Sequence, residues 1–207
     1  MNTIQIIAFT HRQFNFDEIG LFHLDDKRRI DVLRNLKSKL HIDELMYLST
    51  CNRVEFIISH KKKITKNFVE ELIKHLLTDQ LPTNLKDIVD RVKIINNKAA
   101  VHHIFSVASS IDSLVVGERE IITQVRKAFE ECRENNLCGD IIRVLVQSTI
   151  STAKKVYTES NIGTRPVSIV SLAFLELKKY ILKKPKKILV IGAGKTISSM
   201  LKFISKN

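Results

Sequence analysis

The sequence is poor in cysteine: its 207 residues hold three, Cys51, Cys132 and Cys138, at uneven spacings. An odd number without a regular pattern speaks against a disulfide framework and fits a reducing, cytoplasmic setting. No run of about 18 apolar residues occurs, so no membrane span is expected. The start, MNTIQIIAFTHRQ, lacks the basic-then-apolar plan of a signal peptide. Internal repeats and low-complexity segments are missing too. Acidic residues are in deficit, with 22 Asp and Glu against 34 Lys and Arg, a net charge of +12. Such a surplus favours a polyanionic partner through salt-sensitive attraction, and it fits a generally lysine-rich surface equally well. The lysines at 61–63 and 183–187 read as solvated turns.

What is present is ordinary for a globular chain: 44% apolar and 27% charged residues, enough for one large domain or two small ones. Residues 4–9 read as an opening strand, and Asp25 to Leu40 as a helix, with Ile30, Leu33, Leu36 and Leu40 at helical intervals. Two short β-type runs, 45–48 and 54–58, flank residues 49–53. A helix over 65–77, a short helix over 85–90 and a strand over 92–95 complete an α+β module with a small mixed sheet. Beyond it the pattern is helical: a helix capped by Asn97, others over 120–134, from Asp140 to about Val156, and over 167–182.

Between the two β-type runs stands STCNRVEF, residues 49–56. It sets Cys51 on a tight connection between strands, beside Thr50, Asn52 and Arg53. A thiol held on a rigid frame can face a cleft, and a nearby guanidinium favours its reactive thiolate. Near the end, Lys183 to Lys187 reads as a linker into a buried strand, 188–191, then a glycine turn and a helix. Strand, glycine turn and helix open a dinucleotide-binding unit, where helix N–H groups meet a pyrophosphate. Alone this signal is weak, because Ile197 holds the third glycine position. Gly194-Lys195-Thr196 also imitates the end of a phosphate-binding P-loop, but Leu189 stands where that motif needs glycine.

Three blocks in order, LSTCNRVE (48–55), VASSIDSLVVGEREIITQVRKAFE (107–130) and LVIGAGKTI (189–197), resemble glutamyl-tRNA reductase. The resemblance implies an α+β catalytic domain over 1–182, followed over 183–207 by the linker and truncated start of a Rossmann-like NADPH-binding domain. It implies an NADPH-dependent enzyme that reduces glutamyl-tRNA(Glu) to glutamate-1-semialdehyde through a Cys51 thioester, the first step of tetrapyrrole and heme synthesis. His103, rather than its neighbour His102, matches the family's activity-critical histidine. Thr50, Asn52, Arg53, Ser113, Glu118 and Gln124 match its substrate contacts, with Arg53 facing the glutamyl carboxylate. Gly192, Ala193, Gly194, Lys195, Thr196 and Ile197 match the cofactor turn; no metal is implied.

Two positions depart from the family's pattern. Arg119 and Glu120 replace the usual Pro-Gln, and an acid there would repel a substrate carboxylate unless Arg119 or Arg53 compensates. Ser110 stands where glycine is usual. Cys132 and Cys138 match nothing catalytic and are expected to be structural. The implied partners are glutamyl-tRNA(Glu), a second copy of the full-length chain and the downstream glutamate-1-semialdehyde aminomutase. The fragment is expected to retain acyl transfer or esterase chemistry without reduction. The alternative is a tRNA-binding module without catalysis. A generic cysteine hydrolase has little support, since no other histidine–acid arrangement accompanies Cys51.

Overall fold

The alternation of short β-branched runs and amphipathic helices closes on one four-stranded sheet in the structure. This computed structural model describes residues 3–77, 81–118, 120–163, 169–181 and 187–205. The strands are β1 (Thr3–Thr10), β2 (Glu44–Thr50), β3 (Arg53–His60) and β4 (Lys93–Asn96), in the order β2-β3-β1-β4. All three pairings are antiparallel, so the sheet is not mixed as expected. The physical reason is the path of the chain. β2 and β3 are joined by a two-residue turn that leaves no room for a crossover, and β1 then lies between two strands that both run against it.

Six consecutive residues of β1 and seven of β3 are buried, which requires cover on both faces of the sheet. One face carries Phe9, Phe56 and Tyr47. Phe9 stacks on Phe22 at 3.9 Å between ring centroids, and the Tyr47 hydroxyl donates to the Phe22 carbonyl at 2.9 Å. Each fully buried ring or branched side chain of this kind contributes about 1.5–3 kcal/mol. The opposite face, bearing Arg53 and Glu55, is covered by α5 (Asn97–Ala108), whose His103 reaches Glu55.

Helix α1 (Phe16–Gly20) was not expected; an Asn15–Glu18 capping box closes its start. α2 (Arg29–Lys39) begins later than expected, because the Asp25 side chain accepts from the Lys27 N–H and keeps 25–28 in a turn. α3 (Lys66–Leu76) is capped by Thr65 and buries Val69, Leu72, Ile73 and Leu76, as its apolar spacing predicts. α4 (Leu85–Arg91) leads into β4. The N-cap of α5 is Asn96, not Asn97, which sits inside the helix with φ +53°.

α6 (Glu120–Glu134) and α7 (Asp140–Glu159) fall where the sequence puts them. The start of α7 is capped from a distance: the Glu44 carboxylate accepts from the N–H groups of Gly139, Ile141 and Ile142 at 2.9, 3.1 and 2.8 Å. A 3₁₀ turn (Asn161–Gly163), α8 (Ile169–Ile181) and α9 (Lys195–Ser205) follow. The strand expected at 188–191 does not form. No strand of the described residues lies beside it, and Leu189 and Ile191 are 85% and 81% exposed. An unpaired apolar segment has no ladder to satisfy its backbone, so water does. Of the linker, 183–186 lies outside the described residues. Among the described residues no helix is long and apolar enough to cross a membrane.

Candidate active site

The last pair of the β2–β3 hairpin is Thr50 with Arg53, so Cys51 and Asn52 alone make the turn. The turn is fixed from within and from outside. The Thr50 hydroxyl donates to Asn52 Oδ1 at 2.9 Å, and the Asn52 carbonyl accepts from the His11 N–H at 3.0 Å. Asn52 is buried while Cys51 is exposed, so the thiol is the part of the turn presented outward.

It faces a cavity of about 570 Å³ lined by Thr50, Cys51, Asn52, Ser113, Leu114, Val115, Glu118, Glu120, Ile121 and Gln124, together with Val170, Thr196, Ser199 and Phe203. The far wall is the loop after α5. Ser110 takes a left-handed conformation there, φ +58°, which explains glycine as the usual occupant. Its hydroxyl repays that strain by donating to the Val115 carbonyl at 3.1 Å and accepting from the Gly117 N–H at 3.0 Å. Gly117, at φ +93°, passes so close to the Ile162 carbonyl that a Cβ would sit 2.6 Å from its oxygen. The Tyr157 hydroxyl then holds the Glu118 carbonyl at 2.9 Å.

The cavity is acidic where it meets the thiol. Burial and the charge of Glu118, with a further push from Glu120, raise the Cys51 thiol above its ordinary value; Arg53 opposes them only weakly. Glu118 is itself raised, by burial and by Glu120. The thiolate-favouring influence expected of Arg53 is therefore overcome.

The reason is where Arg53 goes. Its side chain is 1% exposed and points to the face of the sheet under α5, away from the cavity. Nη1 donates to Glu55 Oε1 at 2.8 Å, and Nη2 donates to the Asp112 carbonyl. His103 joins the same carboxylate, Nε2 to Glu55 Oε1 at 3.0 Å. Burial alone would raise Glu55, but the His103 hydrogen bond and the charges of His103 and Arg53 outweigh it and hold the carboxyl below its ordinary value. With Glu55 ionised, His103 Nε2 is the donor.

Seven of the expected substrate and nucleophile positions therefore converge on one cavity: Thr50, Cys51, Asn52, Ser113, Glu118, Glu120 and Gln124. Arg53 and His103 form a second cluster behind the turn. Arg119 lies outside the described residues, as does the Lys195 side chain. Of the described side chains of the glycine turn, Thr196 alone lines the cavity; Gly192 and Gly194 are exposed. Glu55 was missed by sequence reasoning. The signal was available, since residues 53 and 55 of a strand share a face, and a charged pair in a run that otherwise reads as buried must find partners. Cys132 is buried and Cys138 half-buried, both free. They share a hydrogen bond that lowers Cys132 and, with burial, raises Cys138. Among the described residues no group of three or more His, Cys, Asp or Glu is placed to hold a metal ion.

The profile of the family described as "Glutamyl-tRNAGlu reductase, N-terminal domain" matches residues 7–160. Among curated proteins, the glutamyl-tRNA reductase of Campylobacter jejuni subsp. jejuni serotype O:6 is 34% identical over 189 residues, 91% of this chain and 43% of that protein. The one from Campylobacter curvus is 36% identical over 190 residues, 91% of this chain and 44% of its own length. Among solved structures, the glutamyl-tRNA reductase from Methanopyrus kandleri aligns with a TM-score of 0.68 at 24% identity, over 98% of this chain and 47% of that one, a likeness of fold. The chain thus spans less than half the length of these relatives.

Proposed function

The chain belongs to the glutamyl-tRNA reductase family, and on that premise we propose that Cys51 accepts the glutamyl group of glutamyl-tRNA(Glu) as a thioester. The observation that carries this reading is the exposed thiol on a rigid two-residue turn, opening into the one cavity that also gathers Thr50, Asn52, Ser113, Glu118, Glu120 and Gln124. The thiolate sulfur attacks the ester carbonyl carbon. A C–S bond forms, the ester C–O bond breaks, and the terminal ribose hydroxyl of the tRNA leaves with a proton.

The glutamyl group carries an α-ammonium and a side-chain carboxylate, and the cavity has complementary groups for each. Glu118 and Glu120 suit the ammonium through charge-assisted hydrogen bonds. The neutral donors Asn52, Ser113 and Gln124 suit the carboxylate, so Glu120 is not in conflict with it. A bound ammonium also offsets the two negative charges that oppose thiolate formation at Cys51. His103 and Arg53 act from behind the turn.

NADPH would supply the hydride that turns the thioester into glutamate-1-semialdehyde, the first step of tetrapyrrole synthesis. The described residues do not fit a complete dinucleotide site: residues 188–191 form no strand, and Ile197 replaces the third glycine. No step in this chain is therefore assigned to the cofactor. In this reading residues 1–182 are the catalytic domain and 183–207 the opening of the nucleotide-binding unit. The complete enzyme works in the cytoplasm as a homodimer that hands its aldehyde to an aminomutase.

The test uses glutamyl-tRNA labelled in its glutamate, mixed with this chain and with Cys51→Ser. Label held covalently by the wild type and absent from the variant is the expected result. tRNA bound by both proteins with label on neither would replace the reading by that of a tRNA-binding module.

A further inference from the structure

The loop that walls the Cys51 cavity contains one carboxylate that does not line it. Asp112 faces the other way and is held from three elements. Arg12, just past the end of β1, donates to Asp112 Oδ1 through Nε at 3.0 Å and Nη2 at 2.6 Å. Asp112 Oδ2 lies 3.6 Å from Arg53 Nη1 on β3 and 3.7 Å from His103 Nδ1 on α5. The Asp112 carbonyl takes a further hydrogen bond from Arg53 Nη2. Among the described residues of the loop, no other is held by so many side chains.

Its place in the chain gives this a consequence. Arg53 directly follows the Cys51–Asn52 turn, and Ser113, a cavity residue, directly follows Asp112. The separation between the nucleophile and the opposite wall is therefore set by the Arg53 hydrogen bond to the Asp112 carbonyl, which any side chain at 112 keeps, together with the carboxylate's own contacts to Arg12, Arg53 and His103. We propose that Asp112 is a positioning residue: its carboxylate clamps the loop to Arg12, Arg53 and His103 so that Ser113 and Glu118 face Cys51. Arg53 then serves the site by gripping this loop. The assignment rests on the reading of Cys51 as the acyl acceptor, but the clamp itself is a property of the apoprotein.

Two measurements on the whole chain separate the proposal from that reading. The first is hydrogen–deuterium exchange at the amides of residues 113–118. The second compares acylation of Cys51 by glutamyl-tRNA with its alkylation by iodoacetamide. Asp112→Ala is expected to speed loop exchange by about tenfold or more while the amides of β1 and β3 keep their protection. It should raise the glutamyl-tRNA concentration needed for half-maximal acylation, with alkylation changed by less than about threefold. Asp112→Asn keeps an acceptor for Arg12 and should recover part of both effects. Should Asp112→Ala fail to fold, Arg12→Ala, at an exposed position, gives the same readouts. Unchanged loop exchange in the folded variants overturns the clamp, whatever the wild type does with glutamyl-tRNA. A wild type that is alkylated but never acylated, with the loop loosened in Asp112→Ala, sinks the acyl-acceptor reading and leaves the clamp standing.

Discussion

The two sides of the β2–β3 turn treat charge in opposite ways. Behind the turn, Arg53 and Glu55 are dry, at 1% and 0% exposure, and each is matched to a charged or hydrogen-bonding partner. In front of it, Glu118 and Glu120 share an open cavity with a thiol and have no cation among the described lining residues. The difference is between holding and receiving. A buried ion pair gains little net stability over a well-packed apolar pair, but removing one partner strands the other at high cost, so it enforces one geometry. Unmatched carboxylates beside solvent keep their charge available for a ligand. The turn is thus built rigidly on one side so that the other can stay electrostatically unfinished.

The strongest way to break this contrast is on the dry side. Glu55→Ala leaves the Arg53 guanidinium buried without its carboxylate and should cost about 3–5 kcal/mol of stability, read by urea denaturation. The pH dependence of the wild type follows from the same group. Because the folded state holds Glu55 below its ordinary value of 4.5, its contribution is fully present above that value. It is lost as pH falls below 4.5 and through the lower folded value, and Glu55→Gln should flatten that part of the stability profile.

A smaller effect is expected from the wall. Gly117→Ala places a Cβ against the Ile162 carbonyl in a conformation that disfavours side chains, and should cost about 1–3 kcal/mol in the same denaturation experiment. The smallest effect sharpens the contrast from the open side. Glu118→Gln removes the carboxylate that opposes the Cys51 thiolate more strongly than Glu120 does, so the thiol should titrate lower. Alkylation of Cys51 at pH 7 should accelerate by roughly two- to fivefold. A slower or unchanged rate would show that burial, not the carboxylates, governs the thiol.

Much of the frame was legible because periodicity encodes it. Val69, Leu72, Ile73 and Leu76 at helical spacing gave α3, and two β-type runs around Thr-Cys-Asn-Arg gave the hairpin and its exposed thiol. The five-residue α1 was too short for a period to show, although the Asn15–Glu18 capping pair was there to be read. Glu44 could not be recognised as the cap of α7, since the N–H groups it accepts from lie more than ninety residues away. The apolar run 188–191 looked like a strand because composition is local, whereas strand pairing needs a neighbour.

The resemblance alone tied the acid-bearing loop after α5 to the turn; the sequence by itself determined which residue types stand on that turn, a cysteine and its hydroxyl and amide neighbours. It determined these because turns, alternation and helical spacing act within a few residues of chain. Only the tertiary structure decided which way Arg53 faces. Packing α5 over the sheet dried one side of β3, brought His103 and Asp112 to Glu55 and Arg53, and so turned the guanidinium next to Cys51 in sequence away from the thiol. Burial is set by what packs on a face, and residues about fifty to sixty positions away supplied that cover.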